Sequence, residues 1–169
     1  MNLVDGRNQV LTTSQWPYSV HGLVAIKFND TTSWGSGTLI GPNIVITAGH
    51  NLYDYDEKVY AELEAMQFLP AVNGQLIPFG VVEVEKYFVS PHYVEERKED
   101  YGILILKKPI GKMTRYFGLT CLDPSDLPSK TIRITGYPGD KVASKPKTYE
   151  MWEMEGSVSH IDRGQNCIH

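Results

Sequence analysis

His50 closes the run Ile44-Val45-Ile46-Thr47-Ala48-Gly49-His50, in which an apolar strand pattern passes through small residues into an imidazole. Small neighbours let such a ring lie at a strand end with one face open to a cleft, where it can take up and return a proton. Alone, the same residue also reads as a plain cap, held by hydrogen bonds. Asp100 stands between the charged run Glu95-Glu96-Arg97-Lys98-Glu99 and the apolar run Tyr101-Gly102-Ile103-Leu104-Ile105-Leu106. A carboxylate at the lip of an apolar strand becomes partly buried and then needs a partner, because an unpaired buried charge is costly. An imidazole Nδ1–H is a suitable one. Alone, Asp100 reads as the last member of a solvated acidic run. Together the two give a strand-ending histidine followed by an aspartate on a later strand edge, the chain order of a general base and the carboxylate that orients it.

Little else in the sequence offers chemistry. His21, His92, His160 and His169 sit in unremarkable surroundings, and no His-x-x-x-His or Cys-x-x-Cys pair suggests a metal site. Nucleotide binding is not expected, since no glycine-rich phosphate loop precedes a helix, and no cofactor is expected. Cys121 and Cys167 allow at most one internal bridge.

The elements that must carry His50 and Asp100 are strands. Fifteen Gly and ten Pro in 169 residues, with ten Tyr, favour many tight turns between short β segments. Strands are expected at Ser19–Phe28, Gly37–Ile40, Ile44–Thr47, Val81–Phe88, Ile103–Leu106, Thr131–Tyr137 and Gly156–Ile161. Glu57–Phe68 carries apolar residues at rough helical spacing but reads equally as strand and loop. Strands this short and evenly spaced suggest an all-β barrel or sandwich. The polar stretch Cys121–Lys130 is the one plausible hinge between two β units. Sixteen Lys and Arg against twenty Asp and Glu give a net charge of −4, which argues against a nucleic-acid partner. No run approaches the roughly 18 apolar residues of a membrane span. The opening Met-Asn-Leu-Val-Asp has no basic segment followed by an apolar one, so this stretch reads as no secretory signal.

With these motifs in view, the sequence resembles the trypsin-like serine proteases, and within them the bacterial glutamyl endopeptidase, or V8-like, branch. The resemblance runs from about Asp5 to the last residues. Ser36-Gly37-Thr38-Leu39-Ile40-Gly41-Pro42 and Ile46-Thr47-Ala48-Gly49-His50 match the catalytic-histidine region, and Asp100-Tyr101-Gly102-Ile103-Leu104 the catalytic-aspartate region. Gly136-Tyr137-Pro138-Gly139-Asp140-Lys141 is the most branch-specific string, continued by Met151-Trp152 and Gly156. The resemblance implies a chymotrypsin-like double β-barrel with the active site between the barrels. Residues 1–120 would form the first barrel, carrying His50 and Asp100, and 121–169 the start of an incomplete second one. It also implies a peptide or protein substrate, cleavage after acidic residues, and an extracellular location.

The family's nucleophile is a serine in a Gly-x-Ser-Gly turn of the second barrel, and no such turn occurs here. Gly35-Ser36-Gly37 looks like one superficially, but it precedes the histidine and is assigned a structural role. Cys167 has no glycine beside it and reads as inert rather than as a substitute nucleophile. Asn51 stands where animal trypsins usually have a cysteine. One reading is therefore a serine endopeptidase whose serine lies beyond residue 169, in the same gene or in a second chain or fragment that completes the barrel. The alternative is a protease-fold binding module or remnant without catalysis. In that case strands such as Ile132-Arg133-Ile134 and Val158-Ser159-His160-Ile161 would lack partners, an aggregation hazard. Sequencing the DNA downstream of codon 169 is expected to reveal a Gly-x-Ser-Gly motif in frame; an authentic stop codon there, with no companion chain, would contradict the first reading.

Overall fold

The structure is a computed structural model that describes residues 5–144, 147–158, 161–162 and 167–168. In chain order its strands begin with β1 (Asn8–Gln9), β2 (His21–Phe28), β3 (Thr31–Leu39), β4 (Ile44–Thr47) and β5 (Tyr53–Asp54). There follow β6 (Val59–Tyr60), β7 (Gln67–Pro70), β8 (Val82–Val89), β9 (Gly102–Leu106) and β10 (Thr131–Gly136). The last are β11 (Ala143–Ser144), β12 (Lys147–Thr148), β13 (Trp152–Ser157), β14 (Ile161–Asp162) and β15 (Cys167–Ile168). Two short helices, α1 (Pro91–Glu96) and α2 (Gly111–Thr114), interrupt them.

Six strands close into an antiparallel barrel in the order β2-β3-β4-β9-β8-β7, the complete first barrel expected from the sequence. Closure follows from period-two patterning. In β9 Gly102, Leu104 and Leu106 are buried, and in β8 Val82 and Val84 point inward while Glu83 and Glu85 face solvent. Val24, Ile26, Leu39, Val45, Phe68 and Leu104 fill the interior. Glycine is required where the Phe68 ring sits, since a Cβ on Gly22 would stand 2.5 Å from that ring.

A second, three-stranded sheet, β1-β13-β10, packs against the barrel wall. Leu23, on the outward face of β2, joins Val10, Val72, Tyr137 and Met151 in a separate buried cluster between the two units. Strand β1 comes from the chain's beginning, so it crosses the division at 120/121 drawn from the sequence and extends the later sheet. The stretch from Cys121 to Lys130 contains a 3₁₀ turn over Pro124–Ser129, capped by the Asp123 carboxylate, which accepts from Ser125 N at 2.8 Å.

Glu57–Phe68, open to either reading from its sequence, holds β6, a 3₁₀ turn over Leu63–Ala65 and the start of β7. Two expectations change. The strand expected at Gly156–Ile161 instead spans Trp152–Ser157, its alternation masked by Glu153 and Glu155. Their charges are answered across the strand pair by Arg133, which lies opposite Glu155, bonds it through Nε at 3.0 Å and approaches Glu153 at 3.4 Å. Ile132-Arg133-Ile134 therefore does not lack a partner, because β10 pairs with β13 along its whole length. Ser159 and His160 lie outside the described residues.

Phe68 is fully buried and touches both β2 and β3 through their glycines. Phe68→Ala is expected to lower unfolding stability by about 3–5 kcal/mol, read as a shift of the denaturant midpoint at unchanged slope.

Candidate active site

Strands β4 and β9 are antiparallel neighbours with Thr47 opposite Gly102. The chain therefore leaves β4 and enters β9 at the same barrel rim. Three residues beyond Thr47 comes His50, and two residues before Gly102 comes Asp100. Ala48 remains extended and Gly49–Asn51 turn in a 3₁₀ conformation, which swings the imidazole to the rim. There the expected pair meets. His50 Nδ1 lies 2.7 Å from Asp100 Oδ2, and the His50 backbone N–H donates to Asp100 Oδ1 at 2.8 Å. Each carboxylate oxygen thus receives one donor from the same residue, fixing both the ring's position and its plane. The His50 side chain is 61% exposed and that of Asp100 43%, so the dyad is open to solvent on one side.

The small residues before His50 have a definite role. A Cβ on Gly49 would stand 3.1 Å from Asp100 Oδ1 and equally close to ring carbons of Tyr93. A Cβ on Gly102 would fall 2.3 Å from Leu52 Cδ1 and 3.0 Å from the Phe88 carbonyl. Helix α1, which the sequence reading did not foresee, brings the buried Tyr93 against this corner. Burial, and after it the nearby Asp100 carboxylate, raise the Tyr93 phenol above its ordinary pKa. Pro91 as first helical residue was the available signal for α1, hidden by the charges that follow it.

Gly35-Ser36-Gly37 lies on β3 and serves packing. Gly35 leaves space for the Asn51 side chain, Gly37 for Val45 and Val24, and Ser36 Oγ accepts from the Tyr137 backbone N–H at 2.8 Å. Gly136 permits that contact, as its Cβ would lie 2.5 Å from Ser36 Oγ. The branch-specific loop is tied further by Arg7, which pairs with Asp140 at 2.5 Å and with Asp5 at 2.9 Å, while Lys141 reaches Asp5 at 2.6 Å. A cavity of about 260 Å³ lies at this junction, lined by Ser36, Tyr137 and Trp152 among others and by neither His50 nor Asp100.

Among the described residues, the other histidines stand apart from the dyad. His92 is exposed on α1, and His169, like His160, lies outside the described residues. His21 is less ordinary than its sequence surroundings suggest: it is partly buried, with Nδ1 2.9 Å from Thr38 Oγ1 and its ring edge-on to Phe117. Cys121 is exposed and free, and the Cys167 side chain lies outside the described residues. Among the described residues, no three His, Cys, Asp or Glu side chains gather as metal ligands, and no helix is long and apolar enough to cross a membrane.

A closed β-barrel with a second sheet on its wall and a His–Asp pair at the rim describes a trypsin-like architecture, and comparison with known proteins agrees. Residues 6–169 match the protein family described as Trypsin, and the chain belongs to that family. It is 32% identical over 156 residues to the glutamyl endopeptidase of Bacillus licheniformis, covering 92% of this chain and 46% of that protein. It is also 28% identical over 141 residues to a Bacillus subtilis protein named extracellular metalloprotease, covering 81% of this chain and 44% of that one. The chain thus spans about half the length of these curated relatives. Among solved structures, a Glu endopeptidase in complex with MPD superposes with a TM-score of 0.77 at 30% identity, covering 94% of this chain and 71% of that one. The protease Anisep from Arthrobacter nicotinovorans, at 17% identity and a TM-score of 0.69, shares the fold over 86% of this chain and 66% of its own.

Burial holds the His21 pKa down to about 4, from an ordinary value of 6.5. Between these values the unfolded chain carries a proton on this ring that the folded chain refuses, so stability rises with pH through the window and falls as pH drops from 6.5 towards 4. His21→Gln is expected to flatten that fall by up to about 3 kcal/mol, measured as unfolding free energy against pH for both chains.

Proposed function

We propose that the chain is part of a serine endopeptidase in which His50 is the general base and Asp100 its orienting carboxylate. The observation that carries this reading is the double engagement of Asp100 by His50, at 2.7 Å to the ring and 2.8 Å to the backbone. In the proposed reaction a serine supplied beyond residue 169 gives its proton to His50 Nε2 while its Oγ bonds to the peptide carbonyl carbon. The imidazolium then hands that proton to the departing amine, leaving an acyl-enzyme, and water repeats the exchange to free the acid. Asp100 stays ionised throughout. It keeps the Nδ1–H tautomer in place and stabilises the positive ring. Residues up to about 120 hold this dyad, and residues 121–169 begin the second barrel, where the oxyanion donors and the pocket for the residue before the cut would lie.

Kinship to two proteins named for glutamyl bonds supports cleavage after acidic residues, and the name of the Bacillus subtilis relative, an extracellular protease, supports action outside the cell. The second reading is a protease-fold binding module without catalysis.

A fluorophosphonate probe separates the two. The product of the extended coding sequence is expected to label stoichiometrically and to cleave Glu-containing peptides, with Asp100→Asn lowering kcat by about ten-thousand-fold. A naturally terminating, stably folded 169-residue product that takes no label would support the module and defeat the enzyme.

A further inference from the structure

Asn51 directly follows His50, yet its side chain turns inward and is buried, 7% exposed. A buried amide is costly unless its hydrogen bonds are made. Its Nδ2 donates to Thr47 Oγ1 at 2.8 Å, and Thr47 Oγ1 in turn donates to the Ser36 carbonyl at 2.8 Å. A hydroxyl has one proton, so a Thr47 that gives it to Ser36 can only accept from Asn51; the network itself dictates which way the amide faces. Only glycine at position 35 leaves the space, because a Cβ there would stand 2.2 Å from Asn51 Nδ2. The clamp joins residue 47 to residue 51 and so pins both ends of the segment that presents the imidazole. Apart from it, the turn is closed by two backbone bonds, Asn51 N to Ala48 O at 3.2 Å and Leu52 N to Gly49 O at 2.8 Å. On its far side the same Ser36 accepts through Oγ from Tyr137 N, linking the clamp to the second sheet.

We infer that Asn51 is a positioning residue for His50, its amide holding the Gly49–Asn51 turn so that the ring meets Asp100, and that the Ser36–Tyr137 contact braces this clamp from the second sheet. The inference rests on the His50–Asp100 reading above, and its test needs no nucleophile. Nitrogen-15 shifts of the His50 ring, in the folded chain labelled at histidine, report which nitrogen carries the proton. A free imidazole favours Nε2–H, whereas a ring held by Asp100 carries its proton on Nδ1. The intact chain is expected to show Nδ1–H, and Asp100→Asn to lose it. Asn51→Ala is expected to move part of the population to Nε2–H while the circular-dichroism spectrum stays folded. Thr47→Val, which keeps shape and removes only the hydroxyl, should do the same and carries the test if Asn51→Ala does not fold. Gly35→Ala should displace the amide too, yet add nothing in the Asn51→Ala background. An undiminished Nδ1–H signal in either folded clamp variant overturns the inference, as does unfolding of both, which would make Asn51 a residue of stability alone. A signal indifferent to Asp100→Asn would instead overturn the dyad reading.

Discussion

The register between β4 and β9 is the constraint on which the rest depends. Thr47 opposite Gly102 sets where the chain leaves one strand and enters the other, and the meeting of residues 50 and 100 follows from that pairing. Side chains in a strand alternate faces, so a slip of one residue would turn Val45 and Leu104 out of the core and carry the dyad apart. The closed barrel excludes such a slip, since each strand is held on both sides and has no free edge along which to slide.

Glycine completes what register begins. At the rim a β-carbon at 102 would overlap Leu52 and one at 49 would press on Asp100 and Tyr93, and the wall of β3 is too crowded at 35 and 37. Space denied to side chains at these positions is given to groups that arrive from elsewhere: the Asp100 carboxylate, the Asn51 amide and the Phe68 ring. The motif residues around His50 therefore fall into two kinds, those that reach the rim and those whose smallness lets others reach it.

Much of this was legible in the sequence. The strand Ile44–Thr47 was visible in its β-branched run, and the pairing of His50 with Asp100 in the chemical need of a half-buried carboxylate for a donor. What stayed hidden was hidden by charge. Glu153 and Glu155, whose charges Arg133 answers only across the strand pair, hid the start of β13, and the acidic run before Asp100 concealed the helix that seats Tyr93. Asn51 gave no local signal either, because its partners sit four and fifteen or more positions back along the chain and only the folded β3 brings them together.

The position of β1 bears on the order in which the molecule assembles. Arg7 and Asp140 are bonded although 133 positions apart, and Asn8 lies opposite Glu153, so β1 has no place to dock until β13 has been made. The barrel can close from contacts within its own stretch of chain, whereas this clasp must wait and then close a very long loop, a slow event by its entropy. The leading segment thus acts as a late fastener, joining the two units only after each has something to hold.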